Sequence, residues 1–254
     1  MLNTTCVLSP ETPSEDYIPN PPIRVDVTEN QPGVPFTVDI GVLNIQTCQP
    51  LTNVMVEIWS PNAVGQYGTT FLRGATTTAS NGIAEFKTIF PGYTSDSANH
   101  LNILVRSSSK SSNVAHFGRL FFTDPWTNIV GMYTNYNQNK NTRVKNADDP
   151  VFAAANKNGF NSIIDIESIG DDWANPEASC MSSHLVSTNS FHQGIVGYIT
   201  VGVDPTKVVE KHSFLCNFWA ARLPQNFFRL INEGIRVASR LSRVDVPLLV
   251  PPLF

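Results

Sequence analysis

The chain has 254 residues, a formal net charge of −4 and only 15% charged residues. That length is sufficient for one large β-domain or two small domains with a buried core. The mildly acidic balance lacks the basic patch of a nucleic-acid-binding protein, and no apolar run approaches the roughly 20 residues of a membrane-spanning helix. We therefore expect no nucleic-acid partner and no transmembrane segment.

The first 35 residues predict an extended N-terminal arm. They are rich in proline and acidic residues, in strings such as SPETPSEDYIPNPP and ENQPGVP. Proline is unfavourable inside helices and central strands. We expect residues 1–35 to lie on a domain formed by residues 36–205.

From residue 36 onward, alternating apolar residues predict short strands. Phe36, Val38, Ile40 and Val42 alternate with Thr37, Asp39 and Gly41, which is typical of a half-buried strand. The other predicted strands cover residues 54–58, 83–86, 101–105, 120–122, 163–169 and 195–203. Residues 125–145 are expected to be irregular with a short helix. Short strands between Pro, Gly and Asn turns favour an all-β fold, a β-sandwich with irregular loops.

The tail, residues 206–254, differs from the rest in charge. It holds seven Lys or Arg and three acidic residues, a net charge of +4, which leaves −8 for the remainder. Apolar residues at helical spacing predict a C-terminal helix, either solvated on its own domain or bound to an anionic membrane or a partner. A third hypothesis is that the tail arises from an altered reading frame or a retained intron and has no selected role.

The four cysteines, Cys6, Cys48, Cys180 and Cys216, form no CxxC pair, which argues against a structural zinc site. They allow two disulfides in three pairings, or four free thiols in a reducing compartment. The sequon at Asn3 is usable only on a secretory route. No signal peptide is visible, and we expect a secreted, extracellular protein whose leader has been removed.

A succession of strings carries a resemblance to a known family. CVLSPE, QPGVPFTVDI, TCQPL, VEIWSPNAVGQYG, FLRGATTTASNGIAEFKTIFPGY and GRLFF occur in this order. From residue 6 to about residue 204 the chain resembles the intradiol ring-cleavage dioxygenases, which include catechol and protocatechuate dioxygenases, and most of all their secreted fungal branch. The resemblance implies the family's β-sandwich and a disulfide between Cys6 and Cys48, and it leaves the pairing of Cys180 and Cys216 open.

The resemblance also implies a chemistry. Members of the family hold one Fe(III) ion with two tyrosinates, two histidines and a hydroxide, a set that suits a hard cation. The substrate is a catechol-type small aromatic, which the ion activates so that O2 cleaves the bond between the two hydroxyl-bearing carbons. Fe(III) is therefore the expected cofactor if the site is competent.

Two of the family's metal ligands fall on matching residues. Tyr67 ends the string WSPNAVGQY, and His100 is the first member of the family's histidine pair. The second tyrosine normally follows Pro-Gly after one residue, whereas Tyr93 follows Gly92 directly and an ungapped alignment puts Thr94 there. Because neighbours in an extended chain point opposite ways, Tyr93 reaches the metal only if the loop shifts by one residue.

The remaining family positions are altered. Asn102 replaces the second histidine, and an amide oxygen is a weaker donor to Fe(III) than an imidazole. Ser97 replaces an arginine, and Arg119 replaces a glutamine, at two positions that stabilise charge on the reacting ring. Arg119 is expected to repel a metal cation unless an acid such as Asp96 neutralises it. The predicted metal positions are Tyr67, Tyr93, His100 and Asn102, and the predicted catalytic positions are Arg119 and Ser97.

Two functions follow from these residues. The first is a secreted, Fe(III)-dependent dioxygenase that cleaves catechol-type aromatics. The second is a non-catalytic binding or scaffold protein that uses the same β-sandwich cleft, since fold alone does not fix function. Four alterations around one ion favour weak iron binding or none, and weak or lost activity.

Overall fold

The computed structural model describes residues 6–13, 16–108, 113–168 and 194–209. The strands are β1 (Pro35–Asn44), β2 (Gln49–Pro50), β3 (Met55–Trp59), β4 (Arg73–Thr77), β5 (Ile83–Ile89), β6 (His100–Arg106), β7 (Val114–Phe121), β8 (Asp165–Ser168) and β9 (Ile195–Val203). The helices are α1 (Asp124–Gly131) and α2 (Pro150–Ala155), with a single 3₁₀ turn at Asn146–Asp148. None of the helices in these ranges is long and apolar enough to cross a membrane. The predicted C-terminal helix, the Asn3 sequon, Cys180 and Cys216 lie outside the described residues.

The strands form two sheets. The first sheet has the order β2-β1-β9-β8, with β5 also paired to β1, and the second has the order β4-β3-β6-β7. Strands β1 and β9 run parallel, from Phe36 opposite Ile195 to Asn44 opposite Val203, whereas the other paired strands are antiparallel. The predicted all-β fold is therefore confirmed.

Side chains from both sheets share one hydrophobic core. The alternating residues of β1 face this core, where they meet Val56 and Ile58 of β3 and Leu101 and Ile103 of β6. Because side chains alternate along a strand, the residues between them on β3 and β6 point to the outer face of the second sheet. That outer face carries the polar residues of interest below.

The N-terminal arm covers part of this outer face. The ring of Tyr17 lies 5.1 Å from that of Trp59 and 5.5 Å from that of Phe117, measured between centroids. The Tyr17 hydroxyl donates to Glu57 at 3.2 Å, and Glu57 forms an ion pair with Arg106 at 2.5 Å. Burial, together with the Glu57 charge, raises the pKa of Tyr17 to about 12. The arm thus closes a polar cluster off from water.

Two further contacts fasten the arm near its start. The Cys6–Cys48 disulfide, with the Cα atoms 5.5 Å apart, confirms the pairing that the family resemblance implies. Three residues along, the Ser9 amide donates to the Gly202 carbonyl at 2.8 Å, and the Gly202 amide donates to the Ser9 hydroxyl at 3.0 Å. The arm is therefore linked both to the β1–β2 turn and to β9.

A charged contact joins the arm to β7. The Glu11 carboxylate accepts hydrogen bonds from the Phe117 amide at 2.8 Å and from Lys207 at 3.0 Å, and it lies 3.3 Å from Nδ1 of His116. Burial raises the pKa of Glu11, but the interactions with His116, Lys207 and Phe117 outweigh it and leave that pKa below its usual value. The predicted domain boundaries at residues 35 and 205 stay predictions.

Candidate active site

One row of side chains across the second sheet forms the floor of the candidate site. Arg73 of β4 pairs with Trp59 of β3, Trp59 pairs with Asn102 of β6, and Asn102 pairs with Arg119 of β7. Residues paired in register project from the same face of a sheet, and His100 shares that face because it lies two residues before Asn102. All five residues are buried.

Three predicted ligand positions meet at one point above this floor. The Asn102 side-chain amide donates to the Tyr67 hydroxyl at 2.9 Å, and His100 Nε2 lies 3.4 Å from the same oxygen. Asn102 Oδ1 is buried without a hydrogen-bond partner among the described residues. The convergence places Tyr67, His100 and Asn102 in one cluster; their role as metal ligands stays a prediction.

The surroundings of His100 fix the state of its ring. Nδ1 lies 2.8 Å from the Ala98 carbonyl oxygen, and since a carbonyl can only accept, Nδ1 carries the proton. Nε2 therefore presents its lone pair toward Tyr67. Burial, reinforced by the nearby Arg119 guanidinium, holds the pKa of His100 well below its usual range. The His100 ring is therefore neutral, and its Nε2 atom is a hydrogen-bond acceptor that faces Tyr67.

In the loop that contains Tyr93, the predicted second tyrosine ligand, the side chain that faces inward is that of Thr94. Thr94 is only 9% exposed, and its hydroxyl is a buried atom for which the described part of the chain offers no partner. Tyr93 is half-buried, and its carbonyl accepts hydrogen bonds from Asn139 at 2.9 Å and from Asn141 at 3.3 Å. This pattern favours Thr94 as the inward-facing residue, while metal ligation by Tyr93 stays a prediction.

Two loops, residues 62–67 and 90–95, hold Tyr67 and Thr94 by close backbone packing. Gly65 has φ +77°, and a Cβ there would overlap the Tyr93 carbonyl and the Asn141 side chain. A Cβ at Gly92 would overlap the Ala63 carbonyl. Asn141 also donates to the Val64 carbonyl at 3.3 Å, so it bridges both loops. Only residues without a side chain permit this approach.

Arg119 and Ser97, the two predicted catalytic positions, contact each other. The guanidinium donates to the Ser97 hydroxyl at 2.7 Å, and that hydroxyl donates to the Asp149 carboxylate at 2.5 Å. Asp149 also accepts from the Ala98 amide at 2.8 Å and from the Val151 amide at 2.7 Å, where it caps α2. Asp149 was not predicted from the sequence, which suggested Asp96 as the counter-charge to Arg119. Asp96 is exposed, and that role stays a prediction.

Solved structures similar to this one are dioxygenases. An intradiol ring-cleavage dioxygenase from Tetranychus urticae has a TM-score of 0.65 and 25% sequence identity, over 81% of this chain and 98% of its own. The chain shares its fold with the intradiol ring-cleavage dioxygenases. The family resemblance in the sequence is thus confirmed, whereas the fungal branch stays a prediction.

More distant structures share the fold alone. The dioxygenase domain of a dioxygenase–carbohydrate-binding fusion from Streptomyces sp. SirexAA-E has a TM-score of 0.52 and 22% identity, over 77% of this chain and 97% of its own. Catechol 1,2-dioxygenase from Pseudomonas arvilla C-1 has a TM-score of 0.52 and 17% identity, over 80% of this chain and 66% of its own. Neither a protein-family model nor a curated protein sequence matches the chain.

The side chains of this cluster offer Fe(III) a poorer ligand set than the two tyrosinates and two histidines that the family resemblance implies. The cluster offers one phenol and one neutral imidazole, while Asn102 and Thr94 supply an uncharged amide and an uncharged hydroxyl. Fe(III) favours anionic oxygen ligands, whereas repulsion of a metal cation by Arg119 stays a prediction.

Proposed function

We propose that the protein binds a small catechol-type aromatic in this cluster without cleaving its ring. It is a non-catalytic or very weakly active member of the intradiol dioxygenase fold, and its site acts as a binding site. The observation that supports this proposal is that Asn102 donates to the Tyr67 hydroxyl, which also lies 3.4 Å from His100 Nε2. Secretion is part of the proposal, and the Cys6–Cys48 disulfide supports it because disulfides persist in oxidising compartments.

The hydrogen bonds within the cluster favour a protonated Tyr67. Its oxygen accepts a hydrogen bond from Asn102, and the lone pair of His100 Nε2 can accept the phenolic proton. A ferric ion would need this phenol deprotonated and its oxygen freed from the amide. With an uncharged residue at Asn102 and a guanidinium nearby, little compensates for that change.

The same atoms suit a neutral phenolic ligand. Asn102 Oδ1 is a buried acceptor without a partner in the described chain, and a buried polar group in that state is costly. A ligand hydroxyl that donates to Asn102 Oδ1 would remove this cost, and a second one can bind to the Tyr67 oxygen. Since Tyr67 is only half-buried, a ligand can approach from its side.

Metal analysis and oxygen uptake test the proposal. The full chain is produced with ample ferric salt, and iron per chain, the visible spectrum and O2 uptake with catechol and pyrogallol are measured. We expect iron far below one per chain, no tyrosinate-to-iron absorption and no uptake above that of free iron, together with saturable catechol binding in calorimetry under argon. A coloured protein with one iron per chain and ring-opened product would contradict the proposal.

A variant that restores the family residues tests the cause. Thr94→Tyr, Ser97→Arg, Asn102→His and Arg119→Gln are combined, and the matched control carries the additional change His100→Asn. We expect the restored variant to bind more iron than the natural chain, and the control to lose that gain. Equal iron in the natural chain and the restored variant would mean that these four positions do not limit metal binding.

A further inference from the structure

A second guanidinium lies next to Tyr67, at the β4 end of the row across the sheet. Arg73 is only 4% exposed, and its Cζ lies 6.0 Å from the centroid of the Tyr67 ring. Its Nε donates to the Gly68 carbonyl at 2.5 Å, which orients the side chain. The row therefore has one arginine at each end, Arg73 on β4 and Arg119 on β7.

Among the described residues, the terminal nitrogens of Arg73 have no hydrogen-bond partner. In the part of the chain that the structure describes, neither Nη atom makes a hydrogen bond or an ion pair. The neighbouring Arg24 is different, because its terminal nitrogens bind Glu29 at 2.5 Å and the Thr70 carbonyl at 2.7 Å. Burial lowers the pKa of Arg73, and the negative charge of the exposed Asp16 offsets only part of that shift.

A buried cation in this position calls for an anion. Removing a charged group from water without a partner is costly, and a bound anion offsets that cost. The Tyr67 ring covers the guanidinium on one side, so the hydrogen-bonding direction that remains is the edge that holds the two Nη atoms. A planar carboxylate matches that edge with two parallel hydrogen bonds.

We infer that Arg73 forms a carboxylate subsite beside Tyr67, so that the ligand of this site is a small organic acid. This inference rests on the proposed function, in which the Tyr67 cluster binds a ligand without turnover. Arg73 binds the carboxylate, while Tyr67 and Asn102 contact the uncharged part of the same molecule. A sulfate can also accept two parallel hydrogen bonds from a guanidinium, but it lacks the uncharged part that Tyr67 and Asn102 contact.

The test is a titration of the full-length protein with benzoate, at constant ionic strength set with chloride. Binding is followed by calorimetry for the natural chain, Arg73→Gln, Arg73→Lys and the control Arg143→Gln, with melting temperatures to verify folding. Arg143 is a partly buried arginine that binds Asp124 and Asn128 at α1 and makes no described contact with Arg73. We expect saturable benzoate binding that Arg73→Gln weakens at least tenfold, roughly the loss of one charge-assisted hydrogen bond. Binding to Arg143→Gln should stay within about twofold of the natural chain. Binding to Arg73→Lys, which keeps the charge but loses the planar pair of donors, should be intermediate.

Two further probes distinguish a carboxylate from other ligands: benzamide, which is neutral, and sulfate, which is a tetrahedral anion. Benzamide and sulfate should bind clearly more weakly than benzoate. Absence of saturable benzoate binding, unchanged binding in Arg73→Gln, or equal binding of benzamide would overturn the carboxylate subsite. The proposed function is decided separately by iron content and oxygen uptake, so a protein that proves to be an iron enzyme yet binds benzoate through Arg73 would overturn that proposal alone.

Discussion

The buried pair of Glu57 and Arg106 provides a quantitative test of how the arm covers the second sheet. Glu57 is 2% exposed, and its carboxylate is held by Arg106 at 2.5 Å and by the Tyr17 hydroxyl at 3.2 Å. The change Arg106→Leu leaves the carboxylate buried with only Tyr17 as a partner in the described contacts. Loss of one partner of a buried ion pair costs about 3–5 kcal/mol, and we expect a decrease of that size in the free energy of unfolding.

The double variant separates a buried charge from lost packing. Glu57→Leu combined with Arg106→Leu removes both charges, and such replacements are often close to neutral. The double variant should therefore be more stable than Arg106→Leu alone in urea unfolding at neutral pH.

Two results would refute this reasoning. One is a decrease in the free energy of unfolding of less than about 1 kcal/mol for Arg106→Leu, which is the size expected of an exposed ion pair. The other is a double variant as unstable as the single one. Either result would mean that Glu57 is hydrated and that Tyr17 and the arm do not seal the outer face of the sheet.

Three further predictions concern the arm and the site loops. Replacing Cys6 and Cys48 with alanine opens a disulfide that spans 42 positions in sequence, and we expect a loss of about 4 kcal/mol in urea unfolding without reductant; a loss below about 1 kcal/mol would contradict the chain-entropy estimate. The pKa of Glu11 is lower in the folded than in the unfolded chain, so the ionised carboxylate stabilises the fold above the unfolded-state pKa, and this stabilisation is lost as pH falls through the folded-state pKa. The difference in free energy of unfolding between the natural chain and Glu11→Gln should therefore shrink below about pH 4. A difference that does not change with pH would exclude a stabilising role for the ionised Glu11. Gly65→Ala places a Cβ at φ +77° against the Tyr93 carbonyl and should cost about 1–3 kcal/mol with weaker catechol binding; unchanged stability would show that the two loops can separate.

Strands with one face on the core were the easiest to predict. The strict alternation of apolar and polar residues predicted a strand at residues 36–42, and strand β1 extends from Pro35 to Asn44. All eight residues of β7, Val114–Phe121, are buried because the core covers one face and the arm and loops cover the other. Its sequence therefore lacks alternation, and the predicted strand at residues 120–122 covers only the last two residues of β7.

Two other elements gave no usable pattern. Strand β4 is Arg-Gly-Ala-Thr-Thr, which has no large apolar residue, and its position depends on pairing with β3. Helix α2 has six residues, too few to establish a helical period. Asp149 followed by Pro150 is a recognisable signal for the start of a helix, but it does not predict how far the helix extends.

The candidate site was predictable where local strings carry it. Tyr67 and His100 were found from short motifs, and Asn102 from its spacing to His100. Asp149 is separated from its partner Ser97 by 52 residues, so only the folded chain brings them together. The contact of Arg73 with the Tyr67 ring likewise depends on the path of the loop between them.

The most direct test of the account is diffraction at the iron absorption edge from crystals of the full chain soaked in ferric salt. We predict no anomalous peak between the Tyr67 oxygen and His100 Nε2, with the Asn102 amide still hydrogen-bonded to Tyr67. A fully occupied iron peak there, with Asn102 turned away from Tyr67, would contradict the claim that this site has lost its metal.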